Sequence, residues 1–298
     1  MSILVTGGSG LVGKHLNDIL PEAIYISSKD YDLIDRYQTD VMMDFYKPKV
    51  VINLAARVGG ILDNINYPVE YLEENTLINT NILRSCHNHD VEKVVVIGST
   101  CMYPNVVEEY PMKEEQLFSG APPNENFAYA MSKRLMITQV NSYVSEYDKK
   151  WSCLIPCNLY GEYDKYEEHH SHFVSALIKK IHEAEHSVDI WGTGKPLRQF
   201  MYAGDLARVI KYMIDNDVVD NFNVAPDYVH SIEEITKIGV EACGKSHLKI
   251  NYDSTKPDGQ YRKDVDSSKL ISVMKDFEFT SLESGIRRVY DNFSQRYN

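Results

Sequence analysis

Short apolar runs alternate with longer amphipathic patterns along the first half of the chain. The apolar runs have the length of buried strands, and the longer patterns repeat apolar residues at helical spacing. The predicted strands cover residues 3–5, 23–26, 50–54, 93–98 and 152–156, and the predicted helices cover residues 11–20, 37–46, 68–88 and 126–147. Strands that alternate with helices predict an α/β fold with a doubly wound parallel sheet of the Rossmann type.

The alternation changes after Gly161, where residues 162–171 are polar and rich in His and Tyr. The predicted elements that follow are a helix to about residue 186, a strand at 188–191, a strand and helix within 198–215, helices after 231, a strand at 248–252 and a loop at 253–264. We expect a Rossmann domain of residues 1–161 plus about 196–226. The remainder, about 162–195 and 227–298, would form a smaller lobe over the carboxyl ends of the strands, where such sheets bind ligands.

Composition excludes several classes of protein. The 298 residues carry a net charge of −12, which argues against a surface for nucleic acid or acidic membranes. The apolar runs are too short to cross a bilayer. Met1 leads directly into the first strand, so no signal peptide is expected. The five cysteines have neither disulfide nor zinc spacing, which indicates reduced thiols in the cytoplasm.

A glycine-rich loop joins the first predicted strand to the first helix. Its glycines recur every third residue, which permits a tight turn, close approach of a pyrophosphate to the backbone, and close helix packing. The predicted cofactor contacts in this loop are Gly7, Gly8, Ser9, Gly10, Leu11, Val12 and Gly13. The alternative, a glycine-rich turn without a ligand, is less favoured because the loop lies between a strand and a helix.

The end of the second predicted strand favours NADP(H) over NAD(H). An NAD enzyme usually has Asp or Glu there for the ribose 2′-hydroxyl. This chain has Ser28 and Lys29, which together with Ser9 suit a 2′-phosphate. Asp30 and Asp32 follow closely, so NAD(H) remains the alternative, with Lys29 as an ordinary surface charge.

Ser99, Tyr129 and Lys133 have the order and spacing of a proton-transfer set for carbonyl reduction. Tyr129 and Lys133 lie one helical turn apart, and Ser99 follows the fourth predicted strand. The Tyr hydroxyl would pass a proton to the carbonyl oxygen, Ser99 would hold that oxygen, and the ammonium would lower the phenol pKa. Tyr and Lys at this spacing are common in helices, so the prediction depends on the glycine loop and Ser99 as well.

With these motifs the chain resembles the extended short-chain dehydrogenase/reductases that act on nucleotide sugars. The resemblance runs nearly end to end and includes residues 7–13, 55–61, 99–104, 129–133, 156–161, 171–172, 190–200 and 256–259. Residues 58–61 and 99–101 are similar to those of members that combine epimerisation with reduction. The resemblance implies NADPH-dependent conversion of GDP-4-keto-6-deoxy-D-mannose to GDP-L-fucose. It also implies a homodimer formed through a four-helix bundle.

The resemblance also implies roles for single residues. Cys101 and His172 would be the acid and base that invert C3 and C5, although from its residue type alone Cys101 is more often a small buried hydrophobe. The implied substrate contacts are Lys180, Trp191, Arg198 and Asp258. The implied neighbours of the cofactor are Leu33, Ala55, Ala56, Ile97, Gly98, Pro156, Asn158 and Leu159, together with Tyr129, Lys133 and His172.

One residue and one loop depart from the family pattern. Lys180 stands where Arg is common, which puts bidentate phosphate binding there in question. Residues 160–166 differ from the usual sequence of a loop that borders the site, so substrate affinity or specificity could differ.

Other motifs of the chain are typical of different functions. His182, Glu183 and His186 match a zinc-protease signature, but no third ligand is evident and the reductase residues would be unexplained. Residues 169, 170 and 172 are also His, which is typical of an exposed polar loop, so no metal is predicted. A UDP-4-keto-6-deoxy sugar is the alternative substrate. A non-catalytic NADP-binding sensor, which would have lost Tyr129 or Lys133, is the alternative of another class.

Overall fold

The computed structural model describes residues 2–166, 172–256 and 258–297. The strands are β1 (Ile3–Thr6), β2 (Ile24–Ile26), β3 (Val50–Asn53), β4 (Lys93–Ile97), β5 (Lys150–Pro156), β6 (Asn158–Tyr160), β7 (Ser187–Trp191), β8 (Leu197–Arg198), β9 (Phe200–Tyr202), β10 (Phe222–Val224), β11 (His230–Ser231), β12 (Lys249–Asp253) and β13 (Arg262–Lys263). The α-helices are α1 (Leu11–Ile19), α2 (Arg36–Tyr46), α3 (Ile61–Asn66), α4 (Pro68–Asn88), α5 (Phe127–Tyr147), α6 (Phe173–Glu183), α7 (Ala203–Asp215), α8 (Ile232–Ala242), α9 (Ser268–Val273) and α10 (Leu282–Tyr297).

The central sheet is parallel throughout and has the order β10-β5-β4-β3-β1-β2. Its strands are almost fully apolar and buried, as expected when helices cover a parallel sheet. The chain moves outward in one direction from β1 to β2 and in the other from β1 to β3. Such a switch point places a crevice at the carboxyl ends of β1 and β3. The predicted doubly wound Rossmann fold is confirmed.

Apolar side chains form two separate buried clusters. One is built on the central sheet, and the other joins α6, α8 and α10. Leu270 and Met274 belong to the first cluster, although the sequence analysis placed that range in the smaller lobe. The domain boundaries given there stay a prediction.

Three small sheets lie outside the central one, with the pairings β11-β8-β13, β12-β7 and β6-β9. Strand β13 falls within the range 253–264, which was predicted to be a loop. Helix α6 ends at Glu183 rather than near residue 186, because Ala184 is extended and β7 begins at Ser187. In the described ranges, no helix is both long and apolar enough to cross a membrane.

Candidate active site

Ser99 and Cys101 lie at the carboxyl end of β4, in a short helical turn. Ser99 is the residue before the turn Thr100–Met102, and its hydroxyl oxygen accepts a hydrogen bond of 3.2 Å from the Cys101 amide. Ser, whose side chain caps such turns, therefore fixes the backbone that presents the thiol. Both side chains are partly exposed in the crevice.

Helix α5 places Tyr129 and Lys133 beside this turn. Lys133 Nζ donates to the Ile97 carbonyl at 2.8 Å, and Arg134 Nε donates to the Met102 carbonyl at 2.6 Å. These two bonds tie the helix to both ends of the turn. The structure thus brings Ser99, Cys101, Tyr129 and Lys133 together beyond the carboxyl end of β4, and the roles expected of them stay predictions.

The expected lowering of the Tyr129 pKa does not occur. Burial, followed by the charges of Cys101 and Tyr71, raises the pKa of the phenol well above its ordinary value. Lys133 lies 5.9 Å from the centre of the Tyr129 ring and bonds a backbone carbonyl instead. Burial also lowers the pKa of Lys133 to about 8. The phenol is therefore held in its protonated form, which suits a proton donor.

Cys101 has a cationic partner that the sequence analysis missed. Burial opposes ionisation of the thiol. The charge of Lys263, whose Nζ lies 3.1 Å from Sγ, and hydrogen bonds from Ser99, Lys263 and Asn126 have the opposite effect. Together they hold the pKa of Cys101 below its ordinary value. By contrast, burial raises the pKa of Cys153 and Cys243 to about 12. Cys101 thus ionises more readily than an ordinary thiol, which does not fit the alternative role of a small buried hydrophobic residue.

No local signal in the sequence could have identified Lys263. It lies 162 positions after Cys101, within a range predicted to be a loop. It contacts the thiol because β13 pairs in parallel with β8, where Lys263 is the register partner of Arg198. Only the tertiary pairing of these two short strands places the ammonium over the crevice.

His172 is held by an acid from the preceding loop. Its Nδ1 lies 3.1 Å from Oδ1 of Asp164, whose side chain is buried. This hydrogen bond outweighs the effect of burial and raises the pKa of His172. His172 is the N-terminal cap residue of α6, but its side chain makes no capping bond. The ring is therefore committed to Asp164 and not to the helix.

The glycine loop has the shape of a pyrophosphate cradle. A Cβ at Gly7, whose φ is +68°, would lie 2.7 Å from the Ala55 amide nitrogen, and one at Gly13 would lie 2.6 Å from the Gly8 carbonyl oxygen. Helix α1 begins without a side-chain cap and without an acidic residue in its first turn. Its first amide groups are available to an anion, as the motif predicted.

Ser28 and Lys29 are exposed after β2, where they were predicted to meet a 2′-phosphate. Asp30 accepts hydrogen bonds from the Ser27 amide and hydroxyl at 2.8 and 2.9 Å. That carboxylate is engaged with its own turn, which weakens the case for Asp30 as the acid that binds a ribose hydroxyl.

The other implied neighbours of the cofactor line the carboxyl edge of the sheet or its flanks. Ile97 accepts the Lys133 bond, and Asn158 Nδ2 donates to the Gln199 carbonyl at 2.9 Å. Leu33 is buried in the main core beside α4, where its carbonyl accepts from Asn81. The rest lie at or just beyond the carboxyl ends of β3, β4 and β5 or within β6, and are Ala55, Ala56, Gly98, Pro156 and Leu159.

The implied substrate residues differ in their surroundings. Arg198 is partly buried in β8, and Asp258 accepts bonds from the Thr193 amide and hydroxyl at 2.6 and 2.7 Å. Trp191 is 61% exposed, with Lys256 Nζ 5.5 Å from its ring centre. Lys180 Nζ donates to the Asp189 carbonyl at 2.9 Å, so its ammonium is already engaged.

The zinc-protease pattern does not form a metal site in the described parts of the chain. No group of three or more potential ligands comes together there. The His182 ring packs against Tyr290 and Phe293, and Glu183 lies 4.0 Å from Lys179. His169 and His170 lie outside the described residues.

Comparison with known proteins places this site in a family. Residues 3–225, which include the glycine loop, Ser99, Tyr129, Lys133 and Arg198, match the model of the NAD dependent epimerase/dehydratase family. The chain belongs to this family.

Several proteins with known names are similar to the chain over nearly its whole length. The GDP-L-fucose synthase of Dictyostelium discoideum is 36% identical over 309 residues, which cover 99% of this chain and 96% of the relative. The GDP-L-colitose synthase of Yersinia pseudotuberculosis is 36% identical over 310 residues, covering 100% and 99%. A crystal structure of a GDP-L-fucose synthetase from Naegleria fowleri bound to NADP is 31% identical, with a TM-score of 0.90 and coverage of 99% and 93%.

Proposed function

We propose that this protein converts GDP-4-keto-6-deoxy-D-mannose to GDP-L-fucose by inverting C3 and C5 and reducing C4 with NADPH. The observation that carries the proposal is the Cys101–Lys263 pair beside Tyr129. A reductase needs only Ser99, Tyr129 and Lys133, so an additional ionisable thiol indicates proton transfer at carbon. The printed names of the full-length relatives support the same reaction.

NADP(H) fits the residues of the sheet edge. The glycine cradle and the uncapped start of α1 would hold its pyrophosphate, and the exposed Ser9, Ser28 and Lys29 would bind the 2′-phosphate. When bound as NADPH, it supplies the hydride that reduces C4.

Epimerisation requires an acid and a base around the sugar ring. The 4-keto group acidifies the hydrogens on C3 and C5, and removing one requires a base of suitable pKa. The pKa of Cys101 is lowered, chiefly by Lys263 against the effect of burial, and the pKa of His172 is raised by its hydrogen bond to Asp164, so each shift favours the charged form of its side chain. We assign these two side chains as the pair that takes a proton from one face and returns one to the other.

Reduction uses the residues fixed at the end of β4. Tyr129, kept protonated by burial, gives its proton to O4, and the Ser99 hydroxyl holds the same oxygen. Lys133 contributes a cation on the same helix, with its Nζ 5.9 Å from the centre of the Tyr129 ring. Each positioned acid or base is expected to contribute roughly a hundredfold or more to the rate.

The substrate lies against the small sheets of the second half of the chain. Arg198 and Lys263 supply positive charge at this edge despite the net charge of −12. We infer that Arg198 binds the diphosphate and that Asp258 and Trp191 lie beside the nucleotide sugar. Lys180 is the weakest candidate of the four, because its ammonium bonds the Asp189 carbonyl.

Purified protein incubated with NADPH and GDP-4-keto-6-deoxy-D-mannose tests the proposal. We expect loss of NADPH absorbance and a product with the L-fuco configuration by NMR. A Cys101→Ser variant should bind NADPH normally and lose epimerisation by roughly a hundredfold or more. Cys243→Ser, at a buried thiol of raised pKa, is the matched control and should retain full activity.

Two further substrates define the limits of this function. The first is a UDP-linked 4-keto-6-deoxy sugar. If it reacts faster than the GDP-linked sugar, the substrate is a UDP sugar and not a GDP sugar. The second is the 4-keto precursor of GDP-L-colitose, because the chain is also 36% identical to a GDP-L-colitose synthase. Absence of NADPH oxidation with all three would favour the non-catalytic sensor.

We also propose a homodimer formed through α4 and α5. Several apolar side chains on these helices are exposed in the single chain, namely Val69, Leu72, Leu77, Met131 and Leu135. Exposed apolar residues that share a surface usually mark an interface. Sedimentation should show a dimer that Leu135→Glu dissociates, whereas Phe45→Glu, at an exposed aromatic residue of α2, should leave it intact.

We propose a reducing compartment such as the cytoplasm for this enzyme. All five cysteines are unpaired, and Cys101 must remain a thiol to act as proposed.

A further inference from the structure

Asp164 links the candidate acid or base His172 to a fixed part of the fold. Its carboxylate contacts Nδ1 of His172 at 3.1 and 3.2 Å and accepts a hydrogen bond from the Ser175 hydroxyl. Only 4% of the Asp164 side chain is exposed, whereas 42% of the His172 side chain is exposed. A buried acid thus holds one nitrogen of a ring that is itself partly exposed.

The backbone that carries Asp164 is itself anchored to α1. The preceding residues Glu162 and Tyr163 are among those that depart from the family pattern. Glu162 lies 3.2 Å from His15 Nε2 and accepts bonds from the Tyr202 hydroxyl, and the Tyr163 ring packs 5.0 Å from the His15 ring. These departures therefore contact the helix that begins at the glycine loop, while Asp164 binds His172.

We propose that Asp164 is a positioning residue that fixes the ring of His172 with a proton on Nδ1, so that Nε2 exchanges protons with the substrate. This inference rests on the proposed function of His172 in epimerisation. A carboxylate accepts a hydrogen bond from Nδ1–H, so in the neutral ring it selects the tautomer whose Nε2 has a free lone pair. Among the described residues, Nε2 has no hydrogen-bond partner.

The charges around His172 agree with this assignment. Asp164 and Lys165 are the charged groups that act on the ring from the described parts of the chain. Asp164 stabilises the imidazolium that forms when Nε2 takes a proton, and Lys165 opposes it. Ser175 and the anchored backbone hold the carboxylate in place, so little reorganisation is needed when the ring changes charge.

A double-mutant cycle tests whether Asp164 acts through His172. The readout is incorporation of solvent deuterium at C3 and C5 of the 4-keto substrate with NADP⁺, which cannot reduce the ketone. We expect Asp164→Asn to slow exchange by about tenfold or more, because an amide can present N–H to Nδ1 and select the wrong tautomer. Asp164→Asn combined with His172→Gln should be no slower than His172→Gln alone.

The possible results separate the two claims. Losses that multiply in the double variant would show a general structural role for Asp164 and overturn the positioning role. Unchanged exchange in Asp164→Asn, with a full loss in His172→Gln, would overturn the positioning role alone. Unchanged exchange in His172→Gln would overturn both the positioning role and the proposed function of His172.

A matched control and a direct measurement complete the test. Ser175→Ala removes one partner of the Asp164 carboxylate but keeps its contact with His172, so exchange should fall less than in Asp164→Asn. If Asp164→Asn does not fold, nitrogen-15 NMR of His172 in the unmodified enzyme decides the question. A neutral ring protonated on Nδ1 is expected, and one protonated on Nε2 would overturn the proposal.

Discussion

Ser99, Tyr129 and Lys133 lie in one region of the molecule, the turn after β4 and helix α5. Cys101 and His172, by contrast, each have a charged partner from another part of the chain. The Tyr129 hydroxyl and the Lys133 ammonium are both kept toward their neutral forms by burial. Cys101 and His172 are shifted toward their charged forms by Lys263 and Asp164. Desolvation thus determines the pKa shifts of the groups proposed for reduction, and ion pairing determines the pKa shifts of those proposed for epimerisation.

Reduction and epimerisation should therefore be separable by substitution. Replacing a reduction residue, whose pKa is shifted by burial, should impair reduction. Cys101 and His172 should keep their charge states in that variant. Epimerisation, by contrast, should be impaired nearly as much by replacing Lys263 or Asp164 as by replacing the side chain that each one pairs with. The predictions below test each part of this contrast.

Tyr129→Phe should have the largest effect. It removes the proton donor for O4, so NADPH oxidation should fall by roughly a hundredfold to ten-thousandfold. Exchange of solvent deuterium at C3 and C5 should continue, because Cys101 and His172 keep their partners. Parallel absorbance and NMR assays measure the two steps, and equal loss of both would contradict the separation.

Lys263→Met should have the next largest effect. Without the ammonium at 3.1 Å, burial dominates and the pKa of Cys101 should rise. Each unit of that rise lowers the thiolate fraction about tenfold at neutral pH. The pH profile of Cys101 alkylation by iodoacetamide, followed by mass spectrometry, should move to higher pH.

Lys249→Met, at an exposed lysine of β12, is the control for that experiment and should leave the profile in place. A profile unchanged by Lys263→Met would show that the ion pair does not lower the pKa of Cys101. The lowered pKa would then be due to the hydrogen bonds from Ser99 and Asn126.

The smallest expected effect is the change in folding stability caused by Lys133→Met. The side chain is 3% exposed, and its pKa falls from 10.5 in the unfolded chain to about 8. Below pH 8 the folded state bears the full cost of a buried ammonium, so Met should be neutral or stabilising by roughly 1 kcal/mol. The gain should fade between pH 8 and 10.5, as the unfolded lysine also loses its proton.

Urea unfolding at several pH values measures this gain, with Lys249→Met as the exposed control. A stability difference that does not fade with rising pH would mean that the Ile97 hydrogen bond, and not the charge, determines the result.

The same contrast explains which features could be predicted from the sequence. The central sheet and the glycine loop follow from local periodicity and spacing, and the helix predicted at 68–88 matches α4. Ser99, Tyr129 and Lys133 were found in the same way, since each lies at a fixed place relative to a strand or helix. Lys263 and Asp164 were not, because their contacts depend on the pairing of β13 with β8 and on the path of a loop.

The Tyr129 pKa shows a second limit of sequence reasoning. Residue types and spacing correctly suggested a Tyr next to a Lys, and from this a lowered phenol pKa was expected. Tyr129 is partly buried, Lys133 is buried, and the ammonium bonds the Ile97 carbonyl, so desolvation reverses the sign of the Tyr129 pKa shift. Burial and hydrogen-bond partners are three-dimensional properties that spacing does not contain.

The register of β8 and β13 has a consequence for how substrate binding would drive the reaction. Arg198 and Lys263 are direct partners in this parallel pair, so one short ladder carries both the cation proposed for the diphosphate and the cation on the thiol. Attraction of a remote, non-reacting part of the substrate would then align the sugar carbons with Cys101. A free 4-keto sugar without its nucleotide should therefore show a lower kcat, and not merely a higher KM.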